Sequence, residues 1–550
     1  MKKFMACALS TCMVAATLVG CTGGNVTPEV TNPDTPDTPD VTTPGDDTTA
    51  TAVEGTYGDW AITESPIGFF WGGTWVVSSQ AAVDAGKAEG VKAIMEYITL
   101  DDSESGLQYA WANGTFNVSD DVDLENIKPA NGGDKGTIEL WNFTNEIPKM
   151  VYQYVQDHPD FGYNVHVTIK GTADGYQDAL DQALMNGEVD IYGCESAFVL
   201  KYTQGDMAKF AAPYDSLGID SAAATKASDI AGYTIDIGTR PSDGKLVGLG
   251  YQATGGVFIY RRSIAKDVWG SDDPKTVAEK IGAGTNSWDT FFSAAAELKA
   301  KGYGIVSGDG DIWHAVENSS DKGWIVDGKL TIDPKREAFL DLSKQLKDNK
   351  YHNDTQDWSD AWFADMKGEG AQGILGFFGP AWLINYTLAP NCGGEKVGEG
   401  TYGDWACCAP PIGFFWGGTW VLANKATTKT DAVKQIIEWI TLDCTETGLQ
   451  YMWANGTFNG EGGTKDCVAS GTVMGISNGE LDFLGGQDMF EAFVPANQYA
   501  NGKNLTQYDE TINGYWREQV REYTAGNKTR EAAIADFKQN VADNLDVTVE

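Results

Sequence analysis

Basic charge is scarce in this chain. Across 550 residues, 39 lysines and arginines stand against 78 acids, a formal net charge of −39. A nucleic-acid binder needs a basic surface to meet phosphates, so that class is excluded. Histidine is rarer still: only His158, His166, His314 and His352 occur, scattered and without triad partners. No paired acidic motif, HExxH, GxSxG or P-loop appears, which removes the usual signs of a metalloprotease, a serine hydrolase or an NTPase. The nine cysteines include no CxxC, so a zinc ribbon or dithiol redox site is not expected. Disulfides among Cys392, Cys407, Cys408, Cys444 and Cys467 stay open, because spacing alone does not pair them. Asp309-Gly-Asp311 begins like a calcium loop, but Trp313 takes a ligand position and Ser320 stands where the bidentate Glu belongs. Neither a metal nor a cofactor is expected.

Long apolar runs are also missing beyond the first 20 residues, so no later segment is expected to span a bilayer. Lys2 and Lys3 precede an apolar stretch ending Leu18-Val19-Gly20-Cys21, the charged, apolar and small-residue zones of a secretory signal. Its ending resembles a bacterial lipobox, which makes Cys21 the expected lipid-bearing first residue of the mature protein. Cleavage removes two lysines and no acid, leaving a net charge of −41. Residues 21–53, mostly Thr, Pro, Asp and Gly, bury nothing and read as a solvated tether. These features imply a protein held by lipid on the extracytoplasmic face of a bacterial cell membrane.

What the chain does have is a long internal repeat. Glu54 to Asn117 aligns with Glu399 to Asn459, both carrying EGTYGDW, PIGFFWGGTW and WANGTFN. The earlier copy, 54–117, hangs between the tether and a low-complexity joint at 118–136, whereas the later one runs into its neighbours on both sides. The later copy is therefore expected to be the working one, and the earlier a partial duplicate appended to a complete body.

The body begins at Thr137. TIELWNF, a helical stretch from Glu146, the alternating NVHVTI at Asn164, an amphipathic segment from Tyr176 and a buried-looking strand at Val189 follow one another. Strands alternating with helices argue for a parallel α/β sheet, whose ligands gather at the strands' carboxyl ends, here Trp141 to Glu146 and Gly193 to Ser196. Helical spacing recurs in Ser287 to Gly302 and Arg336 to Leu346, and in Val433, Ile436, Ile437 and Ile440. The last hundred residues read mainly as helix. A body of this size divides into two domains.

The order of GGVFIYRRSI at Gly255, SWDTFFSAAAELKAKG at Ser287, FADMKGEGAQGILGFFGPAW at Phe363 and GTYGDWACCAPPIGFFWGGTWVLAN at Gly400 resembles the extracellular solute-binding proteins of bacterial ABC importers. The likeness is to the carbohydrate type, which includes the maltodextrin-binding protein. It implies two α/β lobes closing over a ligand about crossing segments near Gly250 to Tyr260 and Thr401 to Pro411. The first lobe would hold 137–249 with 412–460 and the second 261–400, with a helical region, 461–550, packed on both. It implies no enzyme and no cofactor, but a carbohydrate ligand and membrane permease and ATPase partners. A surface glycan-binding lipoprotein without a transporter and a glycoside hydrolase are the alternatives.

Sugar recognition needs flat apolar faces for pyranose rings and planar hydrogen-bonding groups for hydroxyls. Trp141, Trp313, Trp382 and Trp416 are the aromatic candidates, with Gly417 and Gly418 permitting close backbone approach. Asn142, Glu146, Glu195, Tyr251 and Asp311 are the polar ones, at strand ends or in glycine-bracketed turns.

Overall fold

The computed structural model describes residues 123–458 and 464–550, with Trp60–Ala61, Ser78–Ser79 and five positions between 91 and 100 before them. The signal, Cys21, the tether and nearly all of the earlier repeat copy lie outside the described residues. Of that copy, Trp60–Ala61 pairs antiparallel with Ser78–Ser79. The chain divides into two compact units, and the larger includes Leu124–Glu550.

In that unit, nine of the described strands form the two larger sheets. They are β1 (Asn126–Ile127), β2 (Thr137–Asn142), β3 (Asn164–Ile169), β4 (Ile191–Glu195), β5 (Gly248–Gly250), β6 (Val257–Arg261), β7 (Gly376–Gly379), β8 (Trp405–Cys408) and β9 (Thr419–Ala423). The first lobe is built on a six-stranded sheet of order β1-β3-β2-β4-β9-β5, and the second on a three-stranded sheet of order β7-β6-β8. The parallel expectation holds only at the centre, where β2 runs parallel to β3 and β4. β9 is antiparallel to both β4 and β5, because the chain returns from the second lobe to insert it. All five residues of β9 are buried, as a strand covered on both faces requires.

Two corrections concern the connections. Part of the segment 118–136, expected to be a joint, is β1: it pairs antiparallel with β3, and its Ile127 is buried in the core. The second crossing also falls later than expected. Thr401–Pro411 contains β8 of the second sheet, and the chain crosses after it, through 409–418. That stretch is hydrogen-bonded to the first crossing, Gly256 N to Phe414 O (2.8 Å) and Trp416 N to Thr254 O (3.1 Å).

Helices cover the sheets through apolar stripes. Ile147, Met150, Val151, Tyr154 and Val155 are buried from Glu146–Asp157, as are Val433, Ile436, Ile437 and Ile440 from Thr430–Thr441. The C-terminal helices separate. Phe490 and Phe493 of Phe490–Tyr499 join the core beneath the first sheet and the junction. Ile512, Trp516 and Val520 of Asp509–Thr524, with Phe537 and Val541 of Arg530–Asn544, complete the second lobe's core. The six cysteines from Cys194 onward are all free thiols. Among the described residues no helix is long and apolar enough to cross a membrane.

Candidate functional site

The carboxyl end of β4 and the amino end of β9 meet at one end of the first sheet's interior strands, where Glu195 pairs with Thr419. The Gly-Gly pair before β9 makes that meeting close. Gly417 and Gly418 have φ of 76° and 110°, in the region open to glycine. Their carbonyls accept from Thr254 Oγ1 (2.8 Å) and Ser196 N (2.9 Å) respectively. A Cβ at Gly417 would lie 3.3 Å from the Trp382 indole nitrogen. The turn thus delivers Trp416 to the place where the two lobes face each other.

Here an aromatic cluster assembles from four separate segments. Trp382, just after β7, sets its ring edge-on to Trp416 at 4.8 Å and donates from Nε1 to the Trp416 carbonyl (2.9 Å). His314, on the helix Gly310–Asn318, stacks on Trp416 at 4.7 Å and 24°. Trp358 lies parallel to Trp382, 6.0 Å away at 8°. All four rings are only partly buried. Trp358 has two further peculiarities: a φ of 66°, rare for a bulky residue, and a buried Nε1 without a hydrogen-bond partner. Sequence reasoning missed Trp358, whose position just before the helix cap Ser359 gives no periodic signal.

Carboxylates flank the cluster. Glu195 caps the helix Ser196–Thr203 by accepting from Ala197 N (2.7 Å), and burial together with the Glu510 charge pushes its carboxyl up to about 7 against that hydrogen bond. Glu510, on the second lobe's helix Asp509–Thr524, is also raised, by burial and by Glu317. On the other side, Glu146 begins the first lobe's helix Glu146–Asp157 and accepts hydrogen bonds from Tyr251 and, across the junction, from Tyr386 of the second lobe (3.4 Å). Burial raises its carboxyl despite those two donors. Tyr386 stands 49% exposed, so this lobe-to-lobe contact is reached by solvent.

The structure therefore brings Glu146, Glu195, Trp382, Trp416, Gly417 and Gly418 to one junction, while Tyr251, 1% exposed, lies behind it with its hydroxyl on Glu146. Four other candidates are placed differently. Trp313 is 1% exposed and packs against Phe339 in the second lobe's core, leaving no face for a ligand. The buried Asp311 carboxylate is occupied by Ser307 N and Gly308 N, both at 2.9 Å, and by the Trp362 indole at 3.3 Å; it ties a loop together. Asn142 is wholly buried, its amide donating to Thr144 O (2.8 Å). Trp141 is partly buried against the first lobe's own aromatic core. At Trp313 helical spacing was decisive: it directs the ring to the core side of Gly310–Asn318, while the next residue, His314, meets the junction.

The model for bacterial extracellular solute-binding proteins matches residues 149–472. No curated protein matches. Among solved structures, an extracellular solute-binding protein of family 1 superposes with a TM-score of 0.59 at 18% identity, covering 74% of this chain and 99% of its own. The galacto-N-biose/lacto-N-biose I-binding protein of a Bifidobacterium longum ABC transporter gives 0.55 at 16%, covering 75% and 98%. The sugar-binding protein MalE from Xanthomonas citri gives 0.55 at 15%, covering 74% and 96%. These likenesses establish the two-lobed binding-protein fold, and with more than half of its length matched by the family model, the chain belongs to the bacterial extracellular solute-binding proteins.

Proposed function

We propose that this protein captures a sugar or short oligosaccharide between its lobes, without turnover, and delivers it to the membrane permease of an ABC importer whose ATPase drives uptake. The observation that carries the reading is the cluster of Trp358, Trp382, Trp416 and His314 where the lobes meet. Indole faces cover the C–H side of a pyranose, while the neighbouring carboxylates and the Tyr386 hydroxyl suit its hydroxyl groups. The sugar ligands named for two structural relatives support the same class. Lipid attachment at Cys21, with residues 21–53 as tether, would hold the protein at the outer face of the cell membrane. By this reading lobe one is 137–249 with 412–460 and lobe two 261–400.

Calorimetry of the purified protein against oligosaccharides, amino acids and short peptides tests the proposal. Saturable one-to-one binding of a sugar, with no product released, is expected. Tight binding of a peptide with no sugar response refutes the ligand class, and released monosaccharide would identify a hydrolase instead.

A further inference from the structure

The first lobe carries a depression of about 480 Å³ whose walls include Lys209, Lys425, Arg240, Gln204 and Ser242. It lies at the end of the sheet remote from the aromatic junction. Thr419 of β9 pairs with Glu195 at the junction end and Ala423 with Ile191 at the other; Lys425 is two residues further on. Six residues of extended chain span roughly 20 Å, so one ligand of sugar size does not reach both places.

Positive charge collects here in a protein of net charge −39. Arg240 is committed to the fold, donating to Ala208 O (2.8 Å) and Ala211 O (3.0 Å) and pairing with Asp243 (2.7 Å), which also lines the depression. Three lysines of this lobe are likewise engaged, Lys201 with Asp181 (2.6 Å), Lys245 with Asp215 (3.0 Å) and Lys429 with Asp190 (2.7 Å), whereas Lys128 and Lys226, away from the depression, form no ion pair among the described residues. Lys209 and Lys425 differ from the engaged three. Both are exposed, and among the described residues neither forms an ion pair. Their ammonium groups lie over the same Phe210 ring, 5.3 and 5.7 Å from its centroid. The backbone brings them together, since Lys425 N donates to Phe210 O (2.8 Å) and Ala212 N to Ala423 O (2.8 Å). These contacts hold both ammonium groups beside the depression, where an anion seated between them can also accept from the Ser242 hydroxyl; the Gln204 amide is spent on Asp236 O (2.9 Å) and Ile237 O (3.2 Å). The depression is open to solvent and has room for a small organic molecule as well as a lone inorganic ion.

We propose that this depression is a second binding site, separate from the lobe junction, for a small organic anion bearing a carboxylate or phosphate group. The test uses the full protein, with D-glucuronate, glucose 6-phosphate and uncharged glucose as probes in saturation-transfer NMR titrations. Wild type, the Lys209→Gln/Lys425→Gln double variant and Trp416→Ala are compared, with melting temperatures as the folding control. At least one anion should bind saturably, more weakly by at least about fivefold in the lysine variant and unchanged in Trp416→Ala. Response to glucuronate alone assigns a carboxylate site, and response to the phosphate ester alone a phosphate site. Absence of saturable anion binding, equal affinity in wild type and the lysine variant, or loss of binding in Trp416→Ala overturns the proposal.

Discussion

Replacing Trp416 by alanine removes the centre of the aromatic cluster and separates the two roles an indole can play there. Its ring meets His314 at 4.7 Å and Trp382 at 4.8 Å, with Trp358 at 6.0 Å. Aromatic pairs of this kind contribute about 0.5–1.5 kcal/mol each, so the two close pairs alone cost the fold about 1–3 kcal/mol when lost. Because the ring is only partly buried, part of its surface remains for a ligand. Covering that surface with a pyranose is worth about 1.5–3 kcal/mol, and its loss should weaken binding by more than about tenfold. The carbonyl that Trp382 Nε1 donates to is backbone and survives the substitution, so Trp382 should keep its place. Calorimetry against the best sugar of the panel gives the affinity, and scanning fluorimetry gives the stability of the same preparation. If the melting temperature falls while the affinity stays at the wild-type value, Trp416 is a packing residue and the site has been put in the wrong place.

Three further outcomes are expected. Tyr386→Phe removes the hydroxyl that reaches Glu146 across the junction; it should weaken sugar binding about three- to tenfold with an unchanged melting temperature, and an unaltered affinity in calorimetry would show that the contact plays no part in closure. Asp466, 3% exposed, is pushed up to about 7 by burial, against the hydrogen bond from Cys467 N and with the help of the Glu146 charge. Its proton is thus retained in the folded state and lost near 3.8 in the unfolded one. The resulting stability is full below about pH 4 and fades as pH rises to about 7, so Asp466→Asn should exceed wild type at pH 8 by on the order of 2–4 kcal/mol in urea melts; parallel pH profiles for the two proteins contradict this. Deleting Glu54 to Asn117 should leave the sugar affinity within about threefold, because the later copy already supplies β8 to one sheet and β9 to the other, whereas loss of binding in that deletion would reverse the assignment of the working copy.

Much of the fold is legible in local pattern. Alternation in Asn164–Ile169 and a 3.6-residue stripe in Thr430–Thr441 each depend on residues a few positions apart, so a one-dimensional reading captures them. The glycine pair Gly417-Gly418 was legible for the same reason: a backbone with positive φ at two successive residues needs glycine whatever surrounds it. β1 was not legible, because two residues in a polar stretch become a strand only when β3 offers its edge. Direction was hidden as well. A strand rich in Val, Leu and Trp reads alike in parallel and antiparallel sheets, and only the return of the chain from the second lobe makes β9 antiparallel. The site divides along the same line. Sequence alone placed indoles beside glycines, with Trp382 and Trp416 two of its four aromatic candidates. Tertiary structure decided that Trp313 turns into the core, that Asp311 and Asn142 hold their own loops, and that Trp358, His314 and Tyr386 belong at the junction. The physical reason is distance along the chain: local periodicity records which face of an element is apolar, but a site made where two lobes meet is assembled from segments tens to more than two hundred residues apart, as in Trp382 with Trp416 and Tyr386 with Glu146, and only packing brings their faces together.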